Sequence, residues 1–316
     1  MNKVYSFPNN ENLNSSLGIK YIEDSFKFPK HFEIETVNAC NARCVMCTIN
    51  DWEQNQDVIM KDWVFQKFVG EVADYSDWIN TICLNRDGEP TLDKNLHKKV
   101  RILKDVGIKT ITFATHAELL SENRVHEFID ANLDEVMISI DSNDKEIFEK
   151  IRVRLDFNKV FQNTLNLIRI RNERKSDLKI RIRMVVMEEN RHELNSWMAF
   201  WKKKTGPQDE VYAKPAHTWG NQLGNETKMW IEKYADIPCT SPFSSLTLHS
   251  NGKVPMCAVD YNNKILIGDF TKQTIAEIWK SDLFMKIREK HLNSKRNDIS
   301  MCQGCHIWDE GHRVWS

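Results

Sequence analysis

The sequence predicts an α/β protein made of about six strand–helix units, followed by a smaller domain. Short alternating or apolar runs recur between residues 32 and 222, and stretches with helical spacing separate them. This alternation is typical of parallel βαβ units. The rhythm stops near residues 220–228, and four of the eight cysteines follow that point. Six units are too few for a complete eight-stranded barrel, so we expect a partial barrel or an open sheet.

Periodicity places the individual elements. Alternation or short apolar runs predict strands at 32–37, 79–84, 110–114, 135–140, 179–187 and 210–213. Helical spacing of apolar residues predicts helices at 96–106, 119–131, 157–174 and 193–203. The turn Ser250-Asn251-Gly252 between apolar stretches predicts a hairpin in the second domain. We therefore expect three segments, which are an N-terminal extension at 1–31, an α/β barrel at 32–225 and a small C-terminal α+β domain at 226–316.

The composition excludes several classes of protein. Lys and Arg (44) nearly balance Asp and Glu (45), so the chain lacks the basic character of a nucleic-acid-binding protein. No apolar run approaches the roughly 18 residues of a membrane span, and residues 1–14 lack the apolar core of a secretory signal. We therefore expect a cytoplasmic protein that binds no membrane. In that compartment clustered cysteines bind metal or perform redox chemistry more often than they form disulfides.

Three cysteines, Cys40, Cys44 and Cys47, lie within eight residues directly after the first predicted strand. A short loop with these intervals can turn three thiolates toward one centre, and thiolates are the usual protein ligands of iron–sulfur clusters. Three ligands leave one iron of a four-iron cluster open to a further molecule. The alternatives are chance and a zinc site with a fourth ligand elsewhere. His31, the nearest upstream histidine, lies at the far end of the strand.

The cysteine spacing and the motifs that follow it resemble the radical S-adenosylmethionine (SAM) superfamily. This resemblance implies a partial (β/α)6 barrel in which SAM chelates the open iron of a [4Fe–4S] cluster. It further implies reductive cleavage of SAM to a 5′-deoxyadenosyl radical, which abstracts hydrogen from a substrate. Met46 occupies the position before the third cysteine, where relatives usually carry an aromatic or other large residue.

The resemblance also implies a set of SAM contacts at the ends of the later strands. Gly88-Glu89-Pro90 resembles the family motif that contacts the SAM amino group, and an ammonium group requires a carboxylate or carbonyl acceptor. Relatives often have Thr-Asn-Gly where this chain has Thr115-His116-Ala117, so His116 is either a SAM contact or a structural residue. The remaining implied contacts are Ser139 and Asp141, which suit hydroxyl groups, and Arg152, which suits the SAM carboxylate.

Two arginines alternate with isoleucines on the strand at 179–187. Arg181 and Arg183 share one face of this strand, and Ile180 and Ile182 share the other. If the arginine face lies inside the barrel, it suits an anionic or hydroxyl-rich ligand. If that face lies outside, both arginines are solvated. Arg183 is therefore a candidate catalytic residue, together with His217 near the end of the last strand.

The second group of cysteines is Cys239, Cys257, Cys302 and Cys305. Four cysteines in a compact domain suit either zinc or a fully ligated four-iron cluster. The order of the features around them resembles the SPASM/twitch subdomain of radical SAM enzymes, in its short form with a single auxiliary [4Fe–4S] cluster. Four protein ligands close this cluster to substrate, which implies electron transfer. The remaining cysteine, Cys83, is predicted to be a small core residue.

These features predict a radical SAM oxidoreductase of the dehydrogenase type. We expect it to oxidise an alcohol of a small hydroxylated substrate, such as a sugar or aminocyclitol, with the auxiliary cluster accepting one electron. His217, Trp219 and Asn221 are candidates for the pocket lining. A reductase, or a flavodoxin- or ferredoxin-type protein, is the expected electron donor. The alternatives are a sugar epimerase or dehydratase, an enzyme that modifies ribosomal peptides, and a zinc-binding protein without activity.

Overall fold

The computed structural model describes residues 11–53, 58–216, 218–220, 222, 232–233 and 235–305. They fall into two compact units. The larger unit contains Glu33–Ala216 and His249–Asn251, and the smaller one contains the described residues of Met1–Phe32, His217–Leu248 and Gly252–Asp309. Within the described ranges, no helix combines the length and the apolar character needed to cross a bilayer.

The regular elements follow the predicted alternation. The strands are β1 (His31–Ile34), β2 (Arg43–Cys44), β3 (Thr81–Cys83), β4 (Thr110–Thr115), β5 (Glu135–Ser139), β6 (Arg152–Val153), β7 (Lys179–Val186), β8 (Glu210–Pro215), β9 (Ser245–Leu248), β10 (Lys253–Pro255) and β11 (Leu266–Asp269). The described α-helices are α1 (Glu11–Leu17), α2 (Asp62–Ala73), α3 (Leu96–Asp105), α4 (Glu122–Asp130), α5 (Lys145–Ile151), α6 (Phe157–Glu173), α7 (Leu194–Lys204), α8 (Ser241–Ser244), α9 (Ile275–Trp279) and α10 (Asp282–Leu292).

Six strands of the barrel region lie side by side in the order β8-β7-β5-β4-β3-β1. The pairs β3–β4, β4–β5, β5–β7 and β7–β8 are all parallel. Helices connect these six strands, so the predicted α/β class is confirmed, and a helix after β8 would lie outside the described residues. Because the strands are parallel, their carboxyl ends lie at one edge of the sheet, where ligands of α/β proteins usually bind.

The two faces of this sheet differ in polarity. Neighbours in register project to the same side, so Met137, Arg181 and Glu210 share a face with Ser139, Arg183 and Tyr212. The opposite face is buried and apolar, with Ile82, Ile111, Phe113, Val136, Ile138, Ile180, Ile182 and Val211.

Cys83 lies on the polar face, because it pairs with Thr112 and Thr112 pairs with Glu135. It is half-buried, and its thiol donates to the Oδ1 of Asn85 at 3.2 Å. The prediction that Cys83 is a core residue is therefore wrong, because the apolar side of this three-residue strand is formed by Ile82.

The core of the smaller unit uses residues from the predicted N-terminal extension. Leu13 and Leu17 of α1 and Ile22 pack with Phe243 and Leu292. The indole of Trp279 also donates to the backbone oxygen of Ser25 at 2.9 Å. The first described residues of the chain are thus an integral part of this unit.

The predicted hairpin at Gly252 is wrong. Gly252 has a φ of +82°, as a turn glycine often does. However, β10 pairs antiparallel with β11, in a two-stranded sheet that does not include β9. The sequence signal located the turn correctly but assigned the wrong strand partner, because the turn type alone does not determine which strands pair.

Candidate active site

The three N-terminal cysteines lie in the loop that leaves β1 and includes β2. Cys44 pairs with Arg152 in the short antiparallel ladder between β2 and β6. Burial raises the pKa of the Cys40 thiol to about 12 and that of Cys47 to about 11, and the neighbouring Cys44 contributes to both increases. All three cysteines are therefore partly or fully buried within one loop.

Gly88 brings the segment after β3 against the backbone that precedes the cysteine loop. A Cβ atom at this position would collide with the carbonyl oxygens of Val37 and Ala39. The next residue, Glu89, donates its backbone N–H to the oxygen of Ala39 at 2.8 Å. Glycine is therefore required for this close backbone approach, and the Gly88-Glu89-Pro90 segment lies beside the first cysteine.

The Glu89 carboxylate is buried and joins the ends of two strands. It accepts hydrogen bonds from the hydroxyls of Thr91 and Thr115 at 2.5 and 2.7 Å, and from the backbone N–H of His116 at 3.1 Å. Pro90 is buried at the start of a single 3-10 turn that Glu89 caps. Both the Glu89 side chain and the Thr115 hydroxyl thus fix the backbone at this edge of the sheet.

His116 connects β4 to the cysteine loop. Its Nδ1 accepts the backbone N–H of Glu118 at 3.1 Å, so the neutral ring carries its proton on Nε2. That Nε2 lies 2.9 Å from the Oδ1 of Asn41, which follows Cys40. The Asn41 amide in turn donates to Glu118 at 2.6 Å. The structure therefore favours the structural role of His116, which is to position the loop between Cys40 and Cys44.

Asp141 and Arg152 form a buried ion pair beside the cysteine loop. The Nε of Arg152 lies 2.5 Å from the Oδ2 of Asp141, whose Oδ1 accepts the backbone N–H of Val185 at 2.8 Å. The Nη1 of Arg152 lies 3.5 Å from the sulfur of Cys44. Asp141 raises the pKa of Arg152 despite the opposing effect of burial. The guanidinium therefore places a positive charge next to this sulfur, which suits a site where cysteine ligands carry negative charge.

Ser139 and Arg183 meet on the polar sheet face. The Nη2 of Arg183 donates to the Ser139 hydroxyl at 2.9 Å. The Nε of Arg183 is buried and has no hydrogen-bond partner among the described residues. Arg181 differs, because it pairs with Glu210 at 2.7 Å and with Glu135 at 3.3 Å. Only Arg183 of the two thus keeps a buried donor available to a ligand.

A group of buried ionisable residues near Gly88 was not predicted from the sequence. Glu35 is fully buried and accepts the Asn38 amide at 2.6 Å and the Ser250 backbone N–H at 2.9 Å. Burial raises the pKa of Glu35 to about 8, and the nearby Asp87 carboxylate contributes. The Nε2 of His249 lies 3.6 Å from Asp87, and burial lowers the pKa of His249 to about 4. These residues come from segments far apart in sequence, so no local motif signals them.

The four C-terminal cysteines come together in the smaller unit. Burial raises the pKa of each of Cys239, Cys257 and Cys302, and at least two other cysteines of this group add to the rise for Cys257 and Cys302. Cys305 contributes to all three increases. All four thiols are thus partly or fully buried within the smaller unit.

Arg296 holds the segment that carries the last cysteine pair, a role the sequence did not reveal. Its Nη2 donates to the carbonyl oxygens of Cys302 and Cys305 at 2.9 and 2.7 Å. Its Nη1 donates to the oxygen of Ile237 at 2.9 Å, two residues before Cys239. A single buried guanidinium thus fixes the backbone around three of the four cysteines.

Several predicted site residues are less well defined by contacts. Met46 is half-buried in the cysteine loop. Trp219 packs edge-on against Tyr261, with ring centroids 6.1 Å apart. His217 and Asn221 lie outside the described residues. In the part of the chain that the structure describes, no three His, Cys, Asp or Glu side chains are arranged to surround a single metal ion. A four-iron core is wider than one ion, so its ligands need not meet that condition.

The barrel with its cysteine loop defines a class of iron–sulfur enzyme, and the family comparison identifies it. Residues 34–200 match the model of the radical SAM superfamily, which is more than half of the chain. Residues 239–306 match the model of the SPASM iron–sulfur cluster-binding domain. The chain therefore belongs to the radical SAM superfamily and carries a SPASM domain, as the sequence predicted.

Two related sequences carry the same name. A protein of Sulfurisphaera tokodaii named probable GTP 3′,8-cyclase is 28% identical over 206 residues, which are 65% of this chain and 61% of that protein. One of Sulfolobus acidocaldarius with the same name is 32% identical over 37% of this chain and 36% of its own length. The alignments thus span less than two thirds of these relatives.

Solved structures share the fold at low sequence identity. BtrN in complex with AdoMet and 2-DOIA has a TM-score of 0.60 and 18% identity, covering 88% of this chain and 93% of that chain. AnSMEcpe with bound AdoMet has a TM-score of 0.61 and 16% identity, covering 87% and 89%. SuiB of Streptococcus suis bound to the precursor peptide SuiA has a TM-score of 0.59 and 13% identity, covering 91% and 74%.

The chain is thus a radical SAM enzyme, and its cofactors are SAM, a SAM-binding [4Fe–4S] cluster and auxiliary iron–sulfur binding in the SPASM domain. The residues present fit these groups. The buried thiols of the two sets become thiolates when a bound metal stabilises their negative charge. Arg152 adds a positive charge beside Cys44. A radical SAM enzyme acts on a small molecule or a peptide and requires an electron donor.

Proposed function

We propose that this enzyme oxidises an alcohol of a small hydroxylated substrate, such as a sugar or aminocyclitol, to a carbonyl. When bound, SAM and the two clusters supply a 5′-deoxyadenosyl radical for hydrogen abstraction and an acceptor for one electron. The observation that carries the substrate class is the buried, unpartnered Nε of Arg183 on the polar sheet face.

We assign the cofactors to the two cysteine sets. Cys40, Cys44 and Cys47 hold the SAM-binding cluster and leave one iron without a protein ligand. The nitrogens of Arg152 that are not bonded to Asp141 are the proposed donors to the SAM carboxylate. Because the Glu89 carboxylate already binds three partners, backbone carbonyls of the Gly88-Glu89-Pro90 segment are the proposed acceptors for the SAM ammonium group.

Four cysteines, Cys239, Cys257, Cys302 and Cys305, are the proposed ligands of one auxiliary [4Fe–4S] cluster. With four protein ligands it has no open iron, so its role is to accept an electron and not to bind substrate. This supports net oxidation of the substrate over a redox-neutral rearrangement. Met46 and Ser139 are proposed to line the SAM pocket, and His217 and Asn221 remain predicted lining residues.

Arg183 supports a hydroxylated or anionic ligand for a physical reason. A buried guanidinium N–H without an acceptor costs about 1–3 kcal/mol or more, since it has lost its hydrogen bonds to water. A substrate hydroxyl or a carboxylate that accepts from this Nε removes that cost on binding. The neighbouring Ser139 hydroxyl and Tyr212 phenol lie on the same face and suit a polar ligand.

The proposed electron donor is a reductase or a flavodoxin- or ferredoxin-type protein, and the proposed location is the cytoplasm. Reduction of the SAM-binding cluster needs a strongly reducing protein, and cytosolic conditions keep the free thiols of an apo-protein reduced. To test this pairing, the purified enzyme is incubated with SAM and each candidate donor protein, and the 5′-deoxyadenosine formed is measured.

The test of function uses anaerobically reconstituted enzyme, SAM and a panel of sugars and aminocyclitols deuterated at each carbinol carbon. We expect about eight irons per chain, deuterium in 5′-deoxyadenosine, and a product two mass units lighter than the unlabelled alcohol. Deuterium transfer with a product that has the mass of the unlabelled alcohol would instead indicate epimerisation, because hydrogen then replaces the lost deuterium, and loss of water would indicate a dehydratase.

Two matched variants test the role of Arg183. Arg183→Met removes the available donor, so we expect a tenfold or greater rise in KM, which is about 1.4 kcal/mol of lost binding. Arg181→Met removes a similar side chain whose partners are Glu210 and Glu135, so its KM should stay near that of the wild type. Equal effects in the two variants would contradict the assignment.

A second candidate function follows from the sequence relatives, which are named probable GTP 3′,8-cyclase. GTP as substrate in the same deuterium assay tests it, and a cyclised product isomeric with GTP would support it. A third reading, peptide modification, predicts that the enzyme oxidises or cross-links a co-purifying peptide and ignores the sugar panel.

A further inference from the structure

The residue of interest is His291, on α10, which belongs to no predicted motif. Its side chain is buried, with the residue only 1% exposed. It contacts two of the four cysteines proposed as ligands of the auxiliary cluster. The inference that follows therefore rests on that proposed ligand assignment.

The contact with Cys239 fixes the protonation state of the imidazole. The backbone N–H of Cys239 donates to the Nδ1 of His291 at 3.1 Å. A backbone N–H can only donate, so Nδ1 has its lone pair available and carries no proton. The single ring proton of the neutral imidazole is therefore on Nε2.

The contact with Cys302 follows from that tautomer. The Nε2 of His291 lies 3.6 Å from the sulfur of Cys302, within the range of a hydrogen bond to sulfur. A cysteine that ligates iron is a thiolate and can only accept. The imidazole N–H must therefore be the donor in the loaded protein.

Hydrogen bonds to ligand sulfurs change the reduction potential of an iron–sulfur cluster. A donor withdraws electron density from the sulfur and so stabilises the reduced, more negatively charged state. Arg296 also faces this region and donates to the backbone oxygens of Cys302 and Cys305. The His291 N–H is thus a side-chain donor within hydrogen-bond range of a ligand sulfur.

We propose that His291 is a positioning residue that raises the reduction potential of the auxiliary cluster through an Nε2–H hydrogen bond to Cys302. This makes the cluster a better acceptor for the electron that substrate oxidation releases. The backbone N–H of Cys239 is part of the device, because it holds the imidazole in the tautomer that can donate.

The test measures a potential and does not depend on turnover. The background is the full-length chain with Cys40, Cys44 and Cys47 replaced by Ala, so that the auxiliary cluster is the one that remains. Its reconstituted form should contain about four irons per chain. Its midpoint potential is then measured by a redox titration followed by electron paramagnetic resonance.

Three substitutions at position 291 distinguish the hydrogen-bond donor from the volume of the side chain. His291→Gln keeps an N–H near the position of Nε2, whereas His291→Asn keeps an acceptor for Cys239 but does not reach the sulfur. His291→Leu removes both groups. His192→Leu is the matched control, because the His192 side chain is 66% exposed.

We expect the Asn and Leu variants to have a more negative midpoint potential than the parent. A tenfold change in the ratio of reduced to oxidised cluster at a fixed potential corresponds to about 59 mV for one electron. The Gln variant and the His192→Leu control should stay near the parent value.

The failures of the two proposals are distinguishable. If the triple-alanine background binds no iron, the ligand assignment of the four C-terminal cysteines is wrong. If it binds about four irons but the Asn and Gln variants have the same potential, the role of His291 is wrong. Equal loss of iron from both variants would also overturn it, since His291 would then maintain the fold and not the potential.

Discussion

Removal of the guanidinium of Arg152 should destabilise the barrel unit and loosen the cysteine loop. Arg152 is 9% exposed and pairs with Asp141, which is fully buried. Removal of one partner of a buried ion pair costs about 3–5 kcal/mol, because the other charge stays buried without compensation. Asp141 keeps one hydrogen bond from the Val185 backbone, so we expect the lower end, about 3 kcal/mol, for Arg152→Met.

A double-mutant cycle separates the pair from its surroundings. Asp141→Asn keeps an acceptor for Val185 and should cost about 2 kcal/mol. The double variant should lose about 3 kcal/mol of unfolding free energy. The two single losses would add up to about 5 kcal/mol, but in the double variant neither charge remains buried alone. The expected coupling energy is therefore about 2 kcal/mol.

The assay is urea unfolding of the anaerobic protein, followed by tryptophan fluorescence. The control is Arg169→Met, because Arg169 forms exposed pairs with Glu122 and Glu173 that should contribute about 0–1 kcal/mol. Additive single effects, or an Arg152→Met loss no larger than that of the control, would refute the reasoning.

Further predictions concern the backbone approach, the loop support, the ionisation of a buried acid and a second ion pair. Gly88→Ala should release iron from the N-terminal set, leaving about four irons of eight by chemical analysis, because its Cβ collides with backbone; a full complement would contradict this. His116→Leu should weaken SAM binding severalfold in equilibrium dialysis, whereas His116→Gln, which keeps a donor to Asn41, should bind more nearly normally. Because the folded-state pKa of Glu35 is raised from 4.5 to about 8, its contribution to stability is fully present below pH 4.5 and is lost as the pH rises through about 8. Urea midpoints across this range should therefore fall less steeply with pH in Glu35→Gln. Arg171→Met should cost about 3–5 kcal/mol of unfolding free energy, because Arg171 forms a buried pair with Asp209.

The strands of the barrel were predictable because each has its own local signal. Alternation at 179–187 predicted β7, which the structure shows as Lys179–Val186. The helix α2 at Asp62–Ala73 was missed, although its buried residues recur at helical spacing at Val64, Phe68 and Val72. The periodic signal of this helix is therefore present in the sequence.

The cysteine pattern is visible in the sequence, whereas the network around it is not. Three cysteines in eight residues form a pattern that is visible without a fold. The bridge from His116 to Asn41 joins residues 75 positions apart. The roles of Arg296 and His291 likewise depend on which loops meet in three dimensions. Sequence spacing carries no information on such contacts, because they arise from tertiary packing of irregular segments.

Two sequence signals were incomplete for related reasons. The segment at 1–31 lacks a clear period, so it was interpreted as an extension, yet Leu13, Leu17 and Ile22 form part of a core. A short helix that buries only a few residues gives a weak periodic signal. Gly252 signalled a turn, but pairing of β10 with β11 depends on a strand that comes later in the chain.

The hydrophobic cluster that contains both Leu17 and Leu292 has a consequence during protein synthesis. The first described helix leaves the ribosome long before its partner, at roughly 5–20 residues per second. The apolar side of this helix therefore stays exposed for roughly ten to fifty seconds while the barrel is translated. Maturation of the smaller unit thus depends on a segment made much earlier than the rest of it, so a nascent chain released before Leu292 would keep that surface uncovered and be a natural client for chaperones.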